Sequence, residues 1–116
     1  MAEHIVMVNI FTVTAEELPL LEQALRDVAD SARKYEGIFV SYFYAGVGED
    51  EGTRRLVNIT HARSKQDVIA MVKANPQHIE IAKQYGSNQR FFFDTPLFIA
   101  KPEGVFPFAE DEALSL

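Results

Sequence analysis

Residues 38–62 read IFVSYFYAGVGEDEGTRRLVNITHA, and this stretch decides the fold. Residues 38–47 are rich in Ile, Val, Phe and Tyr, side chains that suit a pleated surface. Residues 48–53 then turn polar, with Glu49, Asp50 and Glu51 held between Gly48 and Gly52. Such a cluster must be solvated, so it predicts a turn. Residues 54–62 return to Leu56, Val57, Ile59 and Thr60, a second strand. Two strands across a short polar turn predict an antiparallel hairpin.

Working outward, residues 4–13 (HIVMVNIFTV) predict a strand before the hairpin. Thr14 stands three residues before Glu17, the spacing of a capping box. Leu18, Leu21, Leu25, Val28, Ala32 and Tyr35 follow at steps of three and four, one apolar stripe along a helix that Gly37 ends. Beyond the hairpin, Ser64 and Asp67 cap a short helix that contains Val68, Ile69 and Val72. Asn75-Pro76 predicts a restart, with Asn75 as N-cap and Pro76 in the first helical position. Ile79, Ala82 and Tyr85 continue the apolar side to Gly86. Residues 90–101 (RFFFDTPLFIAK) predict a fourth strand, bent or at an edge because Pro96 cannot donate to a ladder. The order β-α-β-β-α-β is an α+β, ferredoxin-like arrangement. Residues 1–103 form its one expected domain, and residues 104–116 an acidic, loose C-terminal tail.

Composition narrows the function classes. The chain has 116 residues, a net charge of −6, 47% hydrophobic residues, and neither Cys nor Trp. An acidic chain without a basic patch is not expected to bind nucleic acid or an anionic membrane. No Cys means no disulfide and no thiolate metal site, and the three His residues lack metal spacing. The N-terminus has no basic leader and no apolar run long enough for a membrane helix, so a cytoplasmic location is expected. The strands, moreover, are apolar on both sides. Val6, Val8 and Ile10 oppose Met7 and Phe11; Phe39 and Phe43 oppose Val40, Tyr42 and Tyr44; Phe91 and Phe93 oppose Phe92. Two helical segments cover one face only, so the other predicts a homodimer packed sheet against sheet.

The strand order, Gly37 before the second strand, and the run Val57-Asn58-Ile59-Thr60-His61-Ala62-Arg63-Ser64-Lys65-Gln66 with Asn75-Pro76 after it resemble the antibiotic biosynthesis monooxygenase family, small proteins of the dimeric α+β barrel class. The resemblance covers residues 5–101. It implies a cofactor-free oxygenase branch, whose strand Asn is matched by Asn58, and a haem-degrading branch, whose first-strand Asn is matched by Asn9. Family members carry a Trp where this chain has Ala62. The haem branch's ligand His would fall near Lys73, with His78 past the Pro.

Three readings follow. The first is a cofactor-independent monooxygenase that uses molecular oxygen on an aromatic, quinol or polyketide-like molecule. Asn58 would stabilise an anion, His78 would take a proton, and Tyr44, where related oxygenases place a polar pocket residue, would complete the set. Asn9, Tyr42, Thr60, Ala62 and Phe92 would line the substrate. The second is a non-catalytic dimeric barrel that binds a planar small molecule. The third and weakest is haem binding, since the Trp and the ligand His are both missing. Alternation puts Asn58, Thr60 and Ala62 opposite Val57, Ile59 and His61. The second set is the more apolar and is expected under the helices, which would turn Asn58 toward the barrel. His61 is expected to be structural, and His4 an exposed terminal residue.

Overall fold

The computed structural model describes residues 4–48, 52–85 and 88–108. Strand β1 (Ile5–Thr14) leads to helix α1 (Leu18–Ala32), strands β2 (Ile38–Ala45) and β3 (Thr53–Ala62), helices α2 (Lys65–Ala74) and α3 (Gln77–Gln84), and strand β4 (Asn88–Phe93). The four strands form one antiparallel sheet in the order β2-β3-β1-β4. This is the ferredoxin-like order read from the sequence. The three helices described lie on one side of it.

Local chemistry explains the corners. Around the entry to α1 the capping box closes in both directions: Thr14 N–H donates to Glu17 Oε1 at 2.9 Å, and Glu17 N–H donates to Thr14 Oγ1 at 3.1 Å. Leu21, Leu25, Val28 and Ala32 are the buried stripe of α1, as the spacing predicts. At α2, Ser64 Oγ accepts from the Asp67 N–H at 3.1 Å. Asn75 acts differently from its expected role. Its side chain donates to Met71 O at 2.9 Å, closing the end of α2, and gives α3 no side-chain cap. The Gly86 stop lies outside the described residues, as do Glu49, Asp50 and Glu51.

The fourth strand is shorter than residues 90–101. The main sheet loses it after Phe93; Asp94 and Thr95 bond to each other, and Pro96 follows. The chain then resumes as β5 (Phe98–Lys101), which pairs with β6 (Gly104–Pro107) in a separate two-stranded sheet. A boundary at residue 103 therefore cuts a hairpin, and residues 104–107 are strand rather than loose tail.

Two apolar clusters fill the space between sheet and helices. Phe11, Val13, Leu21, Leu25, Val28, Leu56, Ile81 and Tyr85 form the larger. Met7, Ala62 and Val68 form the smaller, with Phe92 packed against it. The sheet contributes Phe11, Val13 and Leu56 to the first and Met7 and Ala62 to the second, so these residues mark the helix-covered face. Asn58 and Thr60 lie on the same face, inverting the expected assignment. Val57 and Ile59 are apolar for another reason: they belong to the open face.

Gly37 fixes the approach of α2 to the start of β2. Its φ is +89°, and a Cβ there would stand 2.6 Å from Asp67 Cγ. Its carbonyl meanwhile accepts from the Arg63 N–H at 2.7 Å. Gly37→Ala should lower folding stability by roughly 1–3 kcal/mol, read as a lower urea midpoint. An unchanged midpoint would show that this contact does not constrain the fold.

Candidate functional site

Between the two apolar clusters the sheet turns polar. Asn9 on β1 stands opposite Asn58 on β3, and Met7 opposite Thr60. All four are buried. The polar members are tied into a chain. Thr60 Oγ1 donates to Asn58 Oδ1 at 3.1 Å, so the Ser41 hydroxyl, 2.8 Å from Thr60 Oγ1, is left to donate to it. Asn58 Nδ2 donates to the Tyr42 carbonyl at 3.2 Å. A primary amide has two N–H groups. One is bound to Tyr42 O, and the second has no partner among the described residues.

This strip floors a cavity of about 880 Å³ under the helices. Leu25, Val28 and Ala29 of α1 wall one side, and Met71, His78 and Ile81 of α2 and α3 another. Arg90 enters from β4, opposite Asn9 in register. The space is of the size that holds a small organic ligand, and its lining has the usual make-up: largely apolar, with a few convergent polar groups.

His78 sits in the first turn of α3, where the helix's positive end disfavours a charged imidazole. Burial holds its pKa below the usual 6.5, and the nearby Arg90 charge lowers it further. The ring is therefore neutral at pH 7. Its Nε2 is buried with no hydrogen-bond partner among the described residues. Burial likewise lowers the Arg90 pKa.

The expected residues divide into three groups. Asn9, Asn58, Thr60 and His78 converge on the cavity. Tyr42 and Tyr44 do not share their face: they pair with Ile59 and Val57, on the side away from the helices. Both residues nonetheless line the edge of the cavity; the Tyr42 ring packs edge-on to His61, and Tyr44 is 56% exposed. Ala62 and Phe92 face the helices in the smaller apolar cluster, outside the cavity lining. The Phe92 ring carries Lys65 Nζ at 4.9 Å. His61 is buried and structural, as expected. His4 is half-buried rather than exposed, with its Nε2 3.0 Å from His61 Nδ1.

Arg90 is the residue that sequence reasoning passed over. Its signal was available: it precedes three phenylalanines at the start of an apolar strand, and alternation sets it on the same side as Phe92. No group of three or more His, Asp or Glu among the described residues could hold a metal ion. Among the same residues no helix is long and apolar enough to cross a membrane.

No family model and no curated protein matches the chain. Solved structures do. SnoaB from Streptomyces nogalater, a cofactor-independent oxygenase, superposes with a TM-score of 0.68 at 11% identity, over 86% of this chain and 100% of that one. An antibiotic biosynthesis monooxygenase superposes at 0.63 and 9% identity, covering 78% and 97%. A dimeric ferredoxin-like protein from Thermobifida fusca superposes at 0.60 and 16% identity, covering 82% and 93%. At these identities the likeness is one of fold, and the fold is that of the antibiotic biosynthesis monooxygenases.

The lowered pKa values of His61 and His78 set a pH dependence. The unfolded rings take up protons near 6.5, while the folded rings resist protonation until lower pH. Stability is full above about pH 6.5 and falls as the pH drops below it. Urea midpoints at about pH 7.5 and 5.5 should show this loss, and His78→Leu should reduce it. An identical pH slope in the variant would mean that His78 is not neutralised by its surroundings.

Proposed function

We propose that the protein is a cofactor-independent monooxygenase that acts, as a homodimer, on a planar aromatic, quinol or polyketide-like molecule. The observation that carries this reading is the buried Asn9–Asn58 strip on the floor of the cavity, with His78 lining the same space. Buried polar side chains are costly unless paired, and a fold that needed only packing would fill this gap with aliphatic groups.

The chemistry asks little of the protein. An electron-rich phenol, hydroquinone or activated methylene becomes reactive toward oxygen once deprotonated. His78, neutral and beside the cavity, is suited to take that proton. The second Asn58 N–H is suited to donate to the oxyanion, whose charge then spreads into the ring. The substrate supplies both electrons. At an activated methylene, or at the ring carbon of a phenol in its keto tautomer, one oxygen atom enters the product as a carbonyl and the other leaves as water with that carbon's two hydrogens. No further reductant is required. Holding the ring against the strip and excluding water would provide most of the acceleration.

The homodimer follows from the open face. Val8, Ile10, Val57 and Ile59 are half-buried there, and Phe91 and Phe93 are 46% and 56% exposed. A continuous apolar sheet face of this kind calls for a cover, and no further helix among the described residues supplies one. Tyr42 and Tyr44 lie on this face, so they belong to the assembly reading rather than to proton transfer.

A second reading is favoured by one observation. Ala62, which takes the place of the family's Trp, is fully buried against Met7 and Val68. A cavity without that ring could bind a planar molecule and do no chemistry on it. Oxygen uptake separates the two. With anthrone or a naphthohydroquinone, chelator present and no cofactor added, uptake should exceed the buffer rate. Asn58→Ala should lower turnover by about 10²- to 10³-fold, the usual effect of removing an oxyanion donor. Uptake at the buffer rate by the unaltered protein would leave the binding reading in its place.

A further inference from the structure

Charge inside the cavity is distributed unevenly. Three arginines line it, Arg26, Arg33 and Arg90, against two acids, Glu22 and Asp30. Both acids are already engaged by their own helix: Arg26 Nε lies 2.9 Å from Glu22 Oε2, and Arg33 Nε lies 3.1 Å from Asp30 Oδ1. Those pairs sit exposed on α1. Arg90 comes from the sheet side and has no acidic partner among the described residues. It also lines an adjoining cleft of about 390 Å³ with Val72, His78, Ile79, Ala82 and Lys83, where again no acid stands. Arg90 and His78 thus mark the junction of two spaces where, among the described residues, the charges without an opposite partner are positive.

The surroundings make this unusual. The chain as a whole is acidic, with a net charge of −6. Arg90 is exposed at the edge of the cavity, and with no acid paired to it among the described residues its guanidinium is open to an anion that a ligand brings. The planar fork of Arg matches a carboxylate in two parallel hydrogen bonds, which a Lys ammonium does not. A carboxylate held there would place its ring over the Asn9–Asn58 strip, because Arg90 and Asn9 are register partners.

We propose that the cavity's ligand is a planar aromatic carrying a carboxylate, and that Arg90 is the residue that holds this group. The inference deepens the monooxygenase reading by naming the substrate class, and it rests on the cavity being the ligand site. The carboxylate is a handle and is not the reacting centre. It orients the ring so that the hydroxyl or methylene to be deprotonated faces His78 and Asn58. An overall acidic surface would slow the approach of such an anion, so Arg90 gives specificity by retention rather than by steering.

The test needs no turnover. The intact protein is titrated with 1-hydroxy-2-naphthoate and, separately, with its neutral amide, the binding being followed by ligand fluorescence. The unaltered protein should bind the acid about tenfold or more tightly than the amide, as charge-assisted hydrogen bonds do. Arg90→Gln should bring that ratio to about one with the amide affinity kept, and circular dichroism checks its fold. Arg90→Lys, which keeps the charge and loses the fork, should retain part of the preference. Equal binding of acid and amide by the unaltered protein, or a preference that survives Arg90→Gln, overturns the role of Arg90 while the cavity stands as a ligand site. Binding of neither compound overturns the cavity as that site as well.

Discussion

A four-stranded sheet has two faces, and this chain carries helices for one. Everything else follows from how the two sides are spent. On the helix side, Met7, Phe11, Val13, Leu56 and Ala62 supply the packing surface for α1, α2 and α3. On the other, Val8, Ile10, Val57 and Ile59 stand with Phe91 and Phe93, apolar and without a helix over them among the described residues. Because the side-chain period of a strand is two, no residue can serve both sides. A single register therefore decides which residues face the helices and which face away from them.

The helix side is not packed throughout. Its two apolar clusters are separated by Asn9, Asn58 and Thr60, and the cavity opens where the aliphatic contacts stop. The Ser41–Thr60–Asn58–Tyr42 chain of hydrogen bonds keeps these groups satisfied while the cavity is empty of protein atoms. Such a network rigidifies what it satisfies. It fixes the Asn58 amide in one orientation, with a donor to spare. His78 and Arg90 line the same cavity, so a neutral imidazole, an amide and a guanidinium meet there from three different elements.

Much of the fold was legible in the sequence because its signals are local. The Thr14–Glu17 and Ser64–Asp67 spacings, the α1 stripe from Leu21 to Ala32, and Gly37 each depend on residues close in the chain. Pro96 foretold a disturbance in the last strand, but not that the chain would leave the main sheet and pair residues 98–101 with 104–107, since that pairing is decided by geometry rather than by propensity. The face assignment inverted for a similar reason. Val57, Ile59 and His61 look more apolar than Asn58, Thr60 and Ala62, and a monomer would bury the apolar set under its helices. Here both faces are apolar, so hydrophobicity alone could not choose between them. That inversion set Tyr42 and Tyr44 on the face opposite Asn58. It also hid Arg90, whose position beside Asn9 exists only once β4 is laid against β1.

The division between faces is the central claim, and backbone amide shifts measured on the isotopically labelled protein during titration with a planar aromatic carboxylate test it most directly. The perturbed amides should cluster at Met7, Asn9, Asn58, Met71, His78 and Arg90, on the helix side of the sheet. Perturbations centred instead on Tyr44, Val57, Phe91 and Phe93 would place the ligand on the open face and contradict the account.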